Sequence, residues 1–133
     1  MAPSDVVREM FARYQAAHFD ALAALIHPDA VWNTHVAHGR ELHGRDEVVR
    51  VLQPLPTSVY QMSTWSIEDL DEAFALGTGA VRYPLEHGGF AQSTGAWLWE
   101  ARDGMVITAT AFASPVEAVA AWREAGTASD RVR

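Results

Sequence analysis

The sequence predicts an α+β domain in which a strongly bent antiparallel sheet wraps over N-terminal helices and closes around a hollow. Three observations predict it. Periodic apolar segments fall in the order helix, helix, strand, helix, after which long strands run almost to the end of the chain. The amphipathic segment Phe19 to Ile26 meets Pro28 and feeds directly into a strand from Ala30. Gly77, Gly79 and Gly95 lie inside the later strands, where glycine weakens a flat sheet but permits bulges and curvature.

The first helix is expected over Ser4 to Ala17, because Val6, Val7, Met10, Phe11 and Tyr14 recur at three- and four-residue spacing. Ser4 or Asp5 suits its N-cap, and Asp5 and Glu9 sit where the helix dipole favours anions. The second helix, Phe19 to Ile26, carries Leu22, Leu25 and Ile26 on one stripe, and Pro28 is expected to stop it by removing a donor. A strand follows from Ala30 to about Val36. A third helix starts at Gly44 with Val48, Val49 and Leu52 inward, and ends at Pro54 and Pro56.

From Thr57 to Phe112 the chain reads as β-structure, broken at Asp69 to Glu72, His87-Gly88-Gly89 and Arg102-Asp103-Gly104. The intervening strands reach roughly ten residues, against a usual five or six. Ser114-Pro115-Val116-Glu117 forms a capping box that opens a short final helix. That helix is expected to end at Gly126, leaving 127–133 as a frayed tail. No linker or repeat divides the chain, so residues 1–133 are read as one domain.

A chain of 133 residues with 49% hydrophobic and 20% charged residues is long enough and apolar enough to fold without staples. Its formal charge is −7 and its basic residues are scattered, which argues against nucleic acid as a partner. The longest apolar stretch, Ala21 to Ile26, is too short to span a bilayer, and Met-Ala-Pro-Ser-Asp does not resemble a secretory leader, so a cytoplasmic protein is expected. All ten basic residues are arginine and there is no cysteine. That excludes a thiol nucleophile, a thiolate metal site, a Schiff-base lysine and a P-loop lysine. The usual hydrolase, zincin and dinucleotide motifs are missing, and no organic cofactor is expected.

Three segments carry a family resemblance. They are Phe19-Asp20-Ala21-Leu22 through His27-Pro28-Asp29-Ala30-Val31-Trp32; Leu42-His43-Gly44-Arg45-Asp46-Glu47-Val48-Val49; and Trp97-Leu98-Trp99-Glu100 with Asp103-Gly104-Met105-Val106 and Ser114-Pro115. In this order they resemble the SnoaL-like branch of the nuclear transport factor 2-like superfamily, which includes ketosteroid isomerases and polyketide cyclases. The resemblance implies an α+β cone, its bent antiparallel or mixed sheet wrapped over three helices around an apolar pocket, and a homodimer formed through the outer sheet face. It does not imply one reaction, because one fold hosts many. Carried over residue by residue, the isomerase's tyrosine falls on Met10, its base on Thr34 and its second aspartate on Gly95 or Ala96. None of these can do that chemistry, so a ketosteroid isomerase mechanism is not expected.

Several residues suit a different chemistry. His35-x-x-His38 followed by His43 offers imidazoles, but strand residues three apart face opposite ways and no supporting carboxylate accompanies them, so no metal is expected. His35, near the mouth of the cone, has the titration range of a proton shuttle. Alternation weighs the other way: with Trp32 and Thr34 facing the pocket, His35 faces outward unless the strand bulges. Arg82 suits an anion anchor in the pocket, or an ion pair with Glu68, Glu86 or Glu100, the pair being favoured. Trp32, Tyr60 and Trp97 suit walls for a flat ring, although aromatic stripes on strands are usually core.

The expected ligand is a small, largely apolar, cyclic metabolite. If the chain is an enzyme, it is a cofactor-free cyclase, isomerase or dehydratase, with His35 shuttling a proton and Tyr14 donating to a developing oxyanion. Arg82 would anchor an anion, and Trp32, Thr34, Tyr60, Met62 and Trp97 would hold the ligand. The rival is a non-catalytic binding or assembly module, favoured by a pocket lined only with Trp, Met, Leu and Phe.

Overall fold

The computed structural model describes residues 1–33, 41–53 and 61–132, and of Gln61, Met62, Trp65, Tyr83 and 127–132 the backbone alone. The elements in chain order are α1 (Pro3–Gln15), α2 (Phe19–Ala23), β1 (Ile26–Asn33), β2 (Glu41–His43), α3 (Arg45–Leu52), β3 (Gln61–Asp69), β4 (Phe74–Pro84), β5 (Phe90–Arg102), β6 (Met105–Phe112) and α4 (Pro115–Val132). The six strands form one mixed sheet in the order β2-β1-β6-β5-β4-β3. Only β1 and β6 run parallel; every other neighbouring pair is antiparallel. The sheet stays open, with β2 and β3 at its two edges, and its curl lets α1 touch β3, β4, β5 and β6.

Side-chain alternation divides the sheet into two faces. The inner face presents Ala75, Val81, Trp97 and Trp99 to α1, α2 and α3, which contribute Val6, Val7, Met10, Leu22 and Val48 to the same buried cluster. Full burial of an aliphatic side chain such as Leu22 stabilises by about 1.5–3 kcal/mol relative to exposure. The outer face presents Leu76 and Ala96, covered by Ala118 and Val119 of α4. Helix α4 lies on the outer face across β4, β5 and β6.

Local differences from the sequence-based expectation have physical causes. Helix α2 ends at Ala23, and Pro28 lies within a strand rather than at a helix stop. It is tolerated because the β1–β6 register breaks between Ile26 and Val31, so no ladder bond is asked of it. The irregular stretch is held from outside: Arg45 Nε donates to the Ile26 carbonyl at 2.7 Å, Gly44 N–H to Ala30 at 2.7 Å, and Val106 N–H to Leu25 at 2.7 Å. Strand β2, which pairs Leu42 with Trp32, was not anticipated, since three residues are too few to show alternation. Neither Ser4 nor Asp5 caps α1. Ala2 is the N-cap, and Asp5 accepts from its backbone N–H at 3.2 Å.

The expected breaks fall where strands end: β3 to β4 turns over 70–73, β4 to β5 over 85–89, and β5 to β6 at Asp103-Gly104, both with positive φ. Strands β4 and β5 have 11 and 13 residues, matching the expected length, whereas β3 and β6 have nine and eight. Gly79 faces the backbone of Ser63 so closely that a Cβ would overlap it, beside the register shift between Thr64 and Ser66. At the chain's end, Glu117 N–H donates to Ser114 Oγ at 3.3 Å, and the Glu117 carboxylate accepts from Ala113 N–H at 3.3 Å. The capping box thus reaches one residue further back than expected. The final helix is not short; it is the longest described, and it continues through Gly126 to Val132.

Candidate functional site

Between the inner sheet face and the helices lies a cavity of about 50 Å³. Helix α1 supplies Met10, Phe11 and Tyr14 to one wall, with Leu22 of α2 and Leu52 of α3 also lining it. Opposite them stand Trp32, Thr64, Trp97 and Trp99, with Ala109 leaving room between. An engineered apolar cavity that admits benzene measures roughly 150 Å³, so a ring enters this one only as its side chains give way. Met10, unbranched and flexible, is the most compliant of the walls.

The aromatic wall has a defined order. Trp97 and Trp99 alternate onto the same face, stacked with centroids 6.4 Å apart and planes 16° from parallel. Phe11 meets Trp99 edge-on at 5.8 Å. The Trp99 ring lies where a Cβ on Gly77 would be, and the Trp97 ring would stand in tight contact, at 3.2 Å, with a Cβ on Gly95. Each indole thus rests on a glycine, and the absence of side chains there lets the rings lie flat along the sheet.

Polar groups are few. Tyr14 is half-buried, and desolvation pushes its hydroxyl above the ordinary value of 10.0, so it stays protonated at neutral pH. Trp32 is 4% exposed. Its Nε1–H is shut off from solvent and has no hydrogen-bond partner among the described residues. Thr64 adds a hydroxyl. Among the described residues the lining contains no charged side chain. Such a cavity can hold a neutral apolar molecule and donate hydrogen bonds to it; the described walls supply no group that would take up a proton near pH 7.

The structure brings together Tyr14, Trp32 and Trp97 from the expected set. It does not bring Arg82 to them. Arg82 shares the outer face with Leu76 and Ala80, is exposed, and lies over the Phe90 ring at 4.3 Å. The pocket anchor and the favoured ion pair both give way to this cation–π contact, because the alternation of β4 turns the side chain away from the cavity. Thr34, His35 and Tyr60 lie outside the described residues, as does the Met62 side chain. His38 lies outside them too, and His43 sits at the surface with Nε2 3.0 Å from Glu41. Sequence reasoning missed Met10, Phe11, Leu22, Leu52, Thr64, Trp99 and Ala109 as cavity walls. Trp99 was within reach, since it shares parity with Trp97, whereas the register shift beside Thr64 hides which way that residue faces.

Residues 7–109 match the family model described as a SnoaL-like domain. No curated protein matches the chain. Among solved structures, an NTF2-like protein of Burkholderia thailandensis is 18% identical with a TM-score of 0.70, over 90% of this chain and 98% of that one. A putative polyketide cyclase of Pseudomonas putida is 14% identical with a TM-score of 0.64, over 86% and 93%. A Mycobacterium tuberculosis protein solved in complex with estradiol-17β-hemisuccinate is 10% identical with a TM-score of 0.67, over 86% and 96%. At these identities the likeness is one of fold.

Proposed function

The chain belongs to the SnoaL-like family of NTF2-like proteins, and from that premise we propose that its cone binds a small, largely apolar, neutral cyclic metabolite. The observation that carries this reading is the cavity between α1 and the Trp97–Trp99 stack, walled by aromatic rings with no charged side chain among the described residues. The estradiol derivative held by the Mycobacterium tuberculosis protein supports a ring compound as ligand class.

Turnover, if the chain is an enzyme, is of the cofactor-free isomerase, cyclase or dehydratase kind. Tyr14 keeps its proton and serves as donor to an oxygen on which charge develops. The base in this reading is His35, on the ground that imidazole takes up and gives back a proton near neutral pH. His35→Ala with unchanged turnover would remove that assignment. The homodimer belongs to the same reading, and sedimentation of the full chain tests it.

A second reading is favoured by the small volume: a cone filled by its own side chains, in a chain that serves as a non-catalytic module. Thermal unfolding against single-ring ketones, aromatic polyketides and steroids separates the two. A ligand at about a hundred times its dissociation constant adds nearly 3 kcal/mol, a rise of several degrees for a domain of this size. Such a rise in wild type, lost when Ala109→Leu fills the cavity, supports the binding reading. No rise across the panel supports the filled cone.

A further inference from the structure

We infer that the Trp32 indole N–H selects the ligand, and that the occupant of the cavity presents a hydrogen-bond acceptor, a carbonyl or ether oxygen, on an otherwise apolar frame. This rests on the reading that the cavity binds a small molecule, and it adds which molecules it prefers.

The argument starts from an orphaned donor. Buried polar groups in folded proteins are nearly always paired. Among the described residues Trp32 Nε1 is the one buried side-chain nitrogen or oxygen without a partner, and Trp32 is one of the residues that line the cavity. The side chain cannot readily turn elsewhere to find one. Trp32 pairs with Leu42 of β2 on one side and Ala109 of β6 on the other, so its backbone is fixed from both directions. Ala109 itself lines the cavity and is small, leaving space beside the ring.

The chemistry of the group then narrows the ligand. An indole nitrogen only donates, so its partner must be an acceptor, and an ammonium group is excluded. A carboxylate would accept, but with no cation among the described walls it would be buried unpaired. Tyr14, held in its protonated form on the opposite wall, is a second donor for the same kind of oxygen. A neutral ketone, ester or ether satisfies both the donors and the apolar rings.

The test uses a pair of probes of equal shape, cyclohexanone and methylenecyclohexane, which differ in a C=O against a C=CH₂. Both are titrated into the full chain with ¹⁵N-labelled indoles, following affinity and the Trp32 Nε1–H resonance. The inference expects cyclohexanone to bind about tenfold more tightly, because only it gives the buried donor a partner. It also expects the Trp32 N–H proton to move downfield with the ketone and not with the alkene. Trp32→Phe should reduce the preference severalfold, to what Tyr14 alone supplies, while leaving the hydrocarbon's affinity near its original value. Should that variant fail to fold, the resonance in the unaltered chain decides alone. Equal affinities with a stationary Trp32 resonance would overturn the inference and leave the cavity reading standing. Failure of both probes to bind would overturn the two together.

Discussion

Ser4 gives both its backbone N–H and its hydroxyl to Asp69, at 2.8 Å to one carboxylate oxygen and 2.9 Å to the other. Ser4 is the second residue of α1, where backbone donors have no partner within the helix, and Asp69 is the last residue of β3, 65 positions away in sequence. A carboxylate from the sheet therefore does the work of an N-cap, and its charge sits at the positive end of the helix dipole. Asp69→Ala should lower unfolding stability by about 1–2 kcal/mol, since it strands a buried hydroxyl and an N–H together. Ser4→Ala removes only one of the two bonds and should cost less. Urea denaturation of both variants gives the comparison, and equal losses would show that the hydroxyl carries the whole effect.

Two residues along, Asp71 ties the outer helix to the sheet. Trp122 Nε1 donates to one of its oxygens at 2.8 Å, and the N–H groups of Ala73 and Phe74 donate to the other, each at 2.8 Å. Partial burial pushes its pKa up, but the bonds from Trp122, Ala73 and Phe74 outweigh it and hold the carboxyl below the ordinary value of 3.8. The stabilisation is thus present in full above pH 3.8 and is lost as pH falls from there through the depressed value. The group is largely exposed, so its effect is modest, up to about 1 kcal/mol after screening. Asp71→Asn should flatten the acid limb of the stability profile below about pH 4. A limb of unchanged slope would mean that other carboxylates produce it.

The glycine beneath Trp99 carries the next expectation. A Cβ at Gly77 would overlap the indole ring, so Gly77→Ala forces the ring off its seat and into the cavity. Overpacking of this kind costs about 1–3 kcal/mol. The same displacement should shift the tryptophan emission and weaken any ligand that the cavity takes. Equilibrium unfolding together with emission spectra checks both, and a stability loss with unaltered emission would place the strain in the backbone.

Legibility from sequence followed the range of the interactions involved. Tyr14, on the apolar stripe of α1, and Trp97, on alternating positions of β5, were expected at the cavity, and both line it. Turn chemistry at Asp103-Gly104 was local and legible for the same reason. Arg82 was not, because its facing depends on the phase of a long strand whose inner and outer surfaces are both covered, so hydrophobicity does not mark the inside. Pro28 misled in the same way. A proline after an apolar helix ordinarily ends it, but here the bulge in β1 is secured by Arg45, a residue 19 positions from the carbonyl it holds. The Ser4–Asp69 cap is longer in range still, and no local pattern announces it.

Gly126 makes the last of these differences measurable, because two readings of it predict opposite signs. As the residue that ends a helix it would adopt the left-handed conformation, and an alanine there would be strained. In the structure it lies inside α4, its φ is not positive, and a Cβ would meet nothing within 4 Å. Gly126→Ala should then raise stability by about 0.5–1 kcal/mol, through the smaller conformational entropy of the unfolded chain and the better helix propensity of alanine. Helicity by circular dichroism should rise with it. A destabilised variant would instead return the end of α4 to Gly126, where the sequence pattern alone places it.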